Sequence, residues 1–218
     1  MDWPLRRSTS AIVRMAMGTG RYIAFEGSEG CGKSTQAALL AARLGAVLTR
    51  ETGGTDVGQR IRGILHDPAN THLNHRAEAL LTAADRAQHV AEIVRPALAD
   101  DRHVVSDRSV YSTLAYQGYG RGLDLGEVRM LNEWALTGLW PELVLFIDVA
   151  DAELVERMQG RLLDRFEREN PPFHARVRSG FRTMANQDPA VWVTIDGTGS
   201  IADVAGRIDV TIRDRFGL

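Results

Sequence analysis

Residues 22–36, YIAFEGSEGCGKSTQ, run from a short apolar stretch through a glycine-rich turn into Lys33-Ser34 and the start of a helical pattern. Gly27, Gly32, Lys33 and Ser34 fit G-x-x-x-x-G-K-[ST], a loop whose backbone N–H groups wrap a polyphosphate. In such a loop the lysine reaches the β- and γ-phosphates and the hydroxyl helps hold Mg²⁺. Glycines belong where backbone approaches phosphate closely or takes positive φ, and the following helix N-terminus adds partial positive charge. A chance match in a glycine-rich chain is the alternative; the apolar strand before the loop and the amphipathic helix after it argue against that. Lys33 is the only lysine among 26 basic residues, the rest being arginine. A compact, flexible ammonium is what this loop uses, and a planar guanidinium does not replace it.

Outward from the loop, strand and helix alternate. The spacing predicts strands at 22–25, 46–49, 103–106, 143–149 and 191–195, and helices at 34–44, 57–65, 75–98 and 201–216, with others starting near Asp151 and after Pro172. The run 143–149, LVLFIDV, is apolar throughout, as expected of a parallel strand buried on both faces. This alternation predicts a three-layer α/β domain around a five-stranded parallel sheet. Ligands of such sheets bind beyond the carboxyl ends of the strands. The loop at 27–34, Arg50, Asp107-Arg108 and the segment after Val149 are therefore expected to converge.

At 218 residues and 44% hydrophobic content the chain can bury a substantial core, and a net charge of −2 gives no general reason to expect nucleic-acid or membrane binding. The single cysteine, Cys31, excludes an intramolecular disulfide framework and suits a reducing compartment, hence a cytoplasmic location. Cys31 is either a thiol activated near a helix N-terminus or a small residue filling a tight turn. Residues 1–20 carry Arg6, Arg7 and Arg14 without an apolar run of signal-peptide length, and are expected to be an extension ahead of a single domain at 21–218. Residues 157–168, RMQGRLLDRFER, hold Arg157, Arg161, Arg165 and Arg168 beside Asp164 and Glu167. They are either a solvated helix end or a mobile arginine-bearing lid that closes over a nucleotide.

The ordered stretches FEGSEGCGKSTQ, TRETGGTDVGQRIR, AADRAQHV, SDRSVYSTLAYQGYGRGLDL, WPELVLFIDV and LDRFE together closely resemble the bacterial thymidylate kinases, which make dTDP from dTMP and ATP. The resemblance implies a P-loop kinase fold with a lid at about 157–172, a homodimer, ATP as donor, dTMP as acceptor and Mg²⁺. It implies that Gly27, Ser28, Glu29, Gly30, Cys31, Gly32, Lys33, Ser34 and Thr35 hold the ATP phosphates, with Ser34 and Asp107 addressing the metal. Arg50 and Arg108 would clamp the acceptor phosphate, Glu29 would sit near the acceptor sugar, and Tyr116 would pack on the deoxyribose. Arg86 would face the base edge, with Thr82 and Gln117 in the same pocket. Arg157 and Arg161, with Arg165 as a further candidate, would descend from the lid; Gly30 fits this, since members with glycine there carry the catalytic arginine in the lid.

The chain departs from the family pattern at Thr82, where phenylalanine usually stacks on thymine, at Thr52 in place of proline, and at Ser109 in place of an aromatic or histidine. A stacked aromatic contributes about 1–3 kcal/mol. Thr82 thus leaves open an altered pyrimidine preference, and a degenerate nucleotide-binding regulatory protein is the alternative from another class.

Overall fold

A computed structural model describes residues 19–157, 159–160 and 162–218. The expectations for residues 1–18 and for Arg161 fall outside these. β1 (Tyr22–Glu26) is followed by α1 (Lys33–Leu44), β2 (Val47–Arg50), α2 (Asp56–His66) and α3 (His75–His89). Then come β3 (Val104–Asp107), α4 (Val110–Thr113), α5 (Leu125–Leu136) and β4 (Leu143–Asp148). The chain closes with α6 (Asp151–Arg157), α7 (Pro171–Gln187), β5 (Trp192–Asp196) and α8 (Ile201–Phe216).

The strands form one parallel sheet in the order β2-β3-β1-β4-β5. β1 is central and every residue in it is buried, because helices cover both faces. On one face Ile23, Phe25, Leu143 and Leu145 pack with Leu40 of α1 and Ile208 of α8. On the other, Tyr22, Val144 and Phe146 pack with Val128 of α5 and with Phe173 and Phe181 of α7. Three layers result, as the strand–helix alternation predicts.

Helix boundaries follow local chemistry. Thr55 caps α2 through Gly58 N–H, and Ser200 and Asp203 form a reciprocal capping box on α8, which ends at Gly217 with φ 71°. The helix expected over 75–98 is α-helical to His89, widens to a π-helical stretch at Val90–Val94 and resumes at Arg95–Ala99. Pro96 explains the change: it offers no N–H and its ring crowds the carbonyl one turn back, so the hydrogen-bond ladder shifts register just before it. Residues 108–142, where periodicity assigns no element, form α4, a second π-helical stretch at Leu114–Gly120, and α5. That second stretch carries Tyr116 and Gln117. Among the described residues no helix is long and apolar enough to cross a membrane.

Candidate active site

The sheet register brings the chemistry together. Phe25 of β1 and Arg50 of β2 both lie opposite Asp107 of β3, so the loop after β1, the end of β2 and Asp107-Arg108 emerge side by side. Within the loop, Gly27 has φ 145°, and a Cβ there would stand 2.6 Å from the Ile147 carbonyl oxygen and 2.8 Å from Cys31 Sγ. Gly32 caps α1 with φ 97°. Both positions require glycine, one for space and conformation, the other for conformation. Lys33 curls back over the loop and donates to the Ser28 carbonyl at 2.7 Å. The Ser34 hydroxyl donates to Asp107 Oδ2. Cys31 is buried in the core beneath the loop, 3.7 Å from Lys33 Nζ, which is the place of a turn-filling residue.

Arg108 is the hub. It is a non-glycine residue in the left-handed region, φ 71°, a strain tolerated where the surroundings fix it. Its guanidinium donates to Gly27 O at 3.2 Å, Ser112 Oγ at 2.9 Å, Tyr116 Oη at 3.2 Å and Glu29 Oε1. Glu29 stands at the cleft mouth; burial alone would raise its pKa, but the Arg108 and Lys33 charges outweigh this and hold it at about 2. Behind Arg108, the Glu26 carboxylate is fully buried, accepts from the N–H and hydroxyl of both Ser109 and Ser112, and has its pKa pushed up by burial. Ser109 also caps α4. The serine that departs from the family pattern thus holds a buried acid and starts a helix.

Two connected cavities open at the strand ends. The larger, about 520 Å³, is lined by Gly30, Gly32, Lys33, Ser34, Thr35, Arg50, Asp107 and Arg157. The smaller, about 60 Å³, is lined by Thr82, Arg86, Thr113, Tyr116, Gln117 and Phe166. Glu29, Glu51, Arg62, His66 and Arg108 face both. Arg157 donates to Gly197 O at 3.1 Å and Gly30 O at 3.5 Å, which places it on the larger cavity beside the loop. Arg165 points elsewhere: it is 9% exposed, 2.7 Å from Glu78 Oε2 and 2.6 Å from Leu65 O, an anchor rather than a free cation.

In the smaller cavity Arg86 is fully buried and largely committed to protein partners. It donates to Glu51 Oε2 at 2.9 Å, to Thr113 Oγ1 at 3.0 Å and to Asn132 Oδ1. Glu51 also meets His89 Nδ1 at 2.8 Å, while His89 Nε2 lies 2.7 Å from Thr49 Oγ1. Next to this pair, Asp85 Oδ1 accepts the Gly53 N–H at 2.9 Å; burial and then the Glu51 charge push its pKa up to about 6. The loop carrying Arg50 is therefore slung beneath α3 by Asp85, Arg86 and His89. Gln117 Nε2 donates to Glu78 at 2.8 Å, and Thr82 bonds its own helix at Ala79 O.

Arg62, His66 and Phe166 are site residues that sequence reasoning did not single out. Arg62 donates to Thr52 O at 3.3 Å; burial and then the neighbouring Arg50 lower its pKa, and both guanidinium groups line the larger cavity. Helical spacing from Gly58 to Arg62 to His66 was the available signal, since residues four apart share a face.

A family model described as thymidylate kinase matches residues 25–208. The thymidylate kinase of Synechococcus sp. (strain JA-3-3Ab) is 47% identical over 201 residues, covering 89% of this chain and 96% of that protein. That of Lactobacillus helveticus is 41% identical over 206 residues, covering 90% and 97%. The crystal structure of thymidylate kinase from Ehrlichia chaffeensis superposes with a TM-score of 0.72 at 30% identity, covering 88% of this chain and 98% of that one. With the phosphate-binding loop, the five-stranded parallel sheet and this extent of similarity along its length, the chain belongs to the thymidylate kinase family.

Proposed function

We propose that the protein transfers the γ-phosphoryl group of ATP to the 5′-phosphate of dTMP, giving dTDP and ADP. The observation that carries this is the junction of the two cavities, where Arg62 and Arg108 face both and Lys33 and Arg50 line the larger one. Two anions that repel each other meet there within one set of cations. The domain is the segment 21–218.

The loop from Gly27 to Thr35 takes the ATP phosphates, with Ser28, Glu29, Gly30, Cys31 and Gly32 supplying backbone and Lys33 reaching the transferred group. Arg50, Arg108 and Arg62 clamp the acceptor phosphate. Tyr116, whose hydroxyl meets both Arg108 and Glu29, supports the deoxyribose. Thr82, Arg86 and Gln117 line the base end, Arg157 approaches from the donor side, and Arg161 keeps the lid role that the family resemblance implies. No general base is required, because a phosphate monoester with a second pKa of about 6 is already ionised at neutral pH. An acceptor oxygen forms the new bond to the γ-phosphorus as the bond to the bridging oxygen breaks, and ADP leaves with that electron pair. The residues supply alignment and a cationic cage for the migrating group.

The donor set suits Mg²⁺. Among the described residues no group of three or more His, Cys, Asp or Glu forms a metal cage. A Mg²⁺ bound through phosphates, one carboxylate and water needs none, and Asp107 and Ser34 meet at the loop to serve it. When bound it would neutralise charge on the phosphates.

A second copy of the chain covers the outer face of α5, where Met130 and Trp134, one turn apart, are 70% and 80% exposed. We place the protein in the cytoplasm, where a reducing environment suits its single cysteine, and without nucleic-acid or membrane partners, in line with its net charge of −2. The test is transfer from Mg-ATP to dTMP, dUMP, UMP, CMP and AMP, compared by kcat/KM, with light scattering on the same preparation. The expected result is a clear dTMP preference in a dimer. Preference for another monophosphate would overturn the substrate, and absence of transfer would make the chain a binding protein.

A further inference from the structure

We infer that Phe166 is the aromatic wall against which the acceptor base packs, brought to the pocket from the segment before α7 rather than from α3. This rests on the dTMP kinase assignment above. On the α3 side the cavity presents Thr82, too small and too polar to offer a stacking surface. Its aromatic surface comes from His66, Tyr116 and Phe166. Tyr116 is engaged at the phosphate end, its hydroxyl 3.2 Å from the Arg108 guanidinium and 3.4 Å from Glu29. Phe166 meets the Tyr116 ring edge-on at 5.7 Å and the His66 ring edge-on at 5.3 Å. It is 8% exposed and is the one lining ring without a polar atom to desolvate.

The ring is held as a wall must be. The Arg165 guanidinium lies over it, 4.4 Å from its centroid, and is itself fixed by Glu78 at 2.7 Å and Leu65 O at 2.6 Å. Before it, Asp164 pairs with His66 at 2.7 Å; Asp164 and Glu167 also close a reciprocal pair of backbone-to-carboxylate bonds, each 2.9 Å. Glu78 also takes Gln117 Nε2 at 2.8 Å, so the amide lining the base end and the support behind the ring share one buried carboxylate. Phe166 lines the smaller slot with Thr82, Arg86 and Gln117 and does not line the larger cavity, unlike Arg62, His66 and Arg108 at the junction, which sets it toward the base end.

The experiment compares wild type with Phe166→Leu, which keeps bulk and loses the π face. Binding of dTMP is measured by calorimetry, inhibition by 2-deoxyribose 5-phosphate supplies a ligand with sugar and phosphate but no base, and KM for ATP is followed. Phe166→Met, which adapts to irregular space, serves if the leucine variant does not fold. Expected is a loss of dTMP affinity of about 10-fold, within the range for a lost stacking partner, with the base-free ligand and ATP unaffected. Unchanged dTMP affinity would overturn the inference, and so would an equal weakening of dTMP and 2-deoxyribose 5-phosphate, which marks a structural role. Failure of the function assignment shows instead in the wild-type protein, which then does not phosphorylate dTMP.

Discussion

The donor and acceptor sides of the cleft are built by different means. The donor side is centred on one continuous stretch of chain, Gly27 to Thr35, whose backbone and one lysine line a cavity of about 520 Å³ together with Arg50, Asp107 and Arg157. The acceptor side is a slot of about 60 Å³ walled by side chains from α2, α3, the π-helical stretch after α4 and the segment before α7. Its walls are joined by buried polar pairs: Glu51 with Arg86 and His89, and Glu78 with Arg121 and Arg165. One side spends its residues on the ligand and the other largely on itself, so substitutions on the two sides should fail differently.

The largest expected effect is catalytic. Lys33→Ala should lower kcat by about 10³–10⁵, the range for losing one cation from a phosphoryl-transfer site. The thermal midpoint should barely move, since the described ties of Lys33 Nζ are to Ser28 O and Cys31 Sγ within its own loop. Steady-state kinetics at saturating ATP together with a melting curve give both numbers. A variant that unfolds as it loses activity would erase the contrast.

On the acceptor side the same kind of truncation should strike the fold. Glu78 is fully buried and accepts from Arg121 Nε and Nη2, both at 3.1 Å, and from Gln117, with Arg165 at 2.7 Å. Glu78→Ala leaves two guanidinium groups without their shared partner, and breaking a buried pair in this way costs about 3–5 kcal/mol. Urea unfolding measures it. A loss of about 1 kcal/mol or less, the value of a surface pair, would mean that the cluster is effectively solvated and that the acceptor wall is no more braced than the donor loop.

The same division decides what could be read from sequence. The phosphate loop was legible because its determinants lie within a few residues of one another and are geometric: Gly27 and Gly32 stand where only glycine fits. The helix at 201–216 was legible to its ends because Ser200 and Gly217 cap it. Strand register was legible only as far as strand ends gathering Arg50 and Asp107. The acceptor wall was not: Arg165 finds the Leu65 carbonyl 100 residues away, and Asp164 finds His66 at a separation of 98. Nothing local marks such pairs, so an arginine-rich segment reads equally as lid or solvated face, and Arg165 proves to be neither. Ser109 read as a departure because its partner, Glu26, lies 83 residues earlier.

The smallest effect asks whether the acceptor loop is hung on charge at a cost. Asp85 is 1% exposed; one carboxylate oxygen accepts from Gly53, and the other is buried without a hydrogen-bond partner. Its pKa of about 6 lies above the unfolded value of about 3.9. Between those values the folded protein holds a proton that the unfolded chain releases, so stability falls as pH rises through the window, and the full penalty applies above about 6. Asparagine carries no charge, keeps an acceptor for the Gly53 N–H and adds donors. Asp85→Asn should therefore stabilise the protein by about 1–3 kcal/mol at pH 8. The gain should shrink as pH falls and vanish below about pH 4, where aspartate is protonated in both states. Urea unfolding at several pH values reads the slope directly. A gain that does not vary with pH would mean that packing against Gly58, not ionisation, governs the site. A loss at pH 8 would mean that the Asp85 charge is answered by Arg86 and His89, making the acceptor loop's suspension a source of stability rather than a cost.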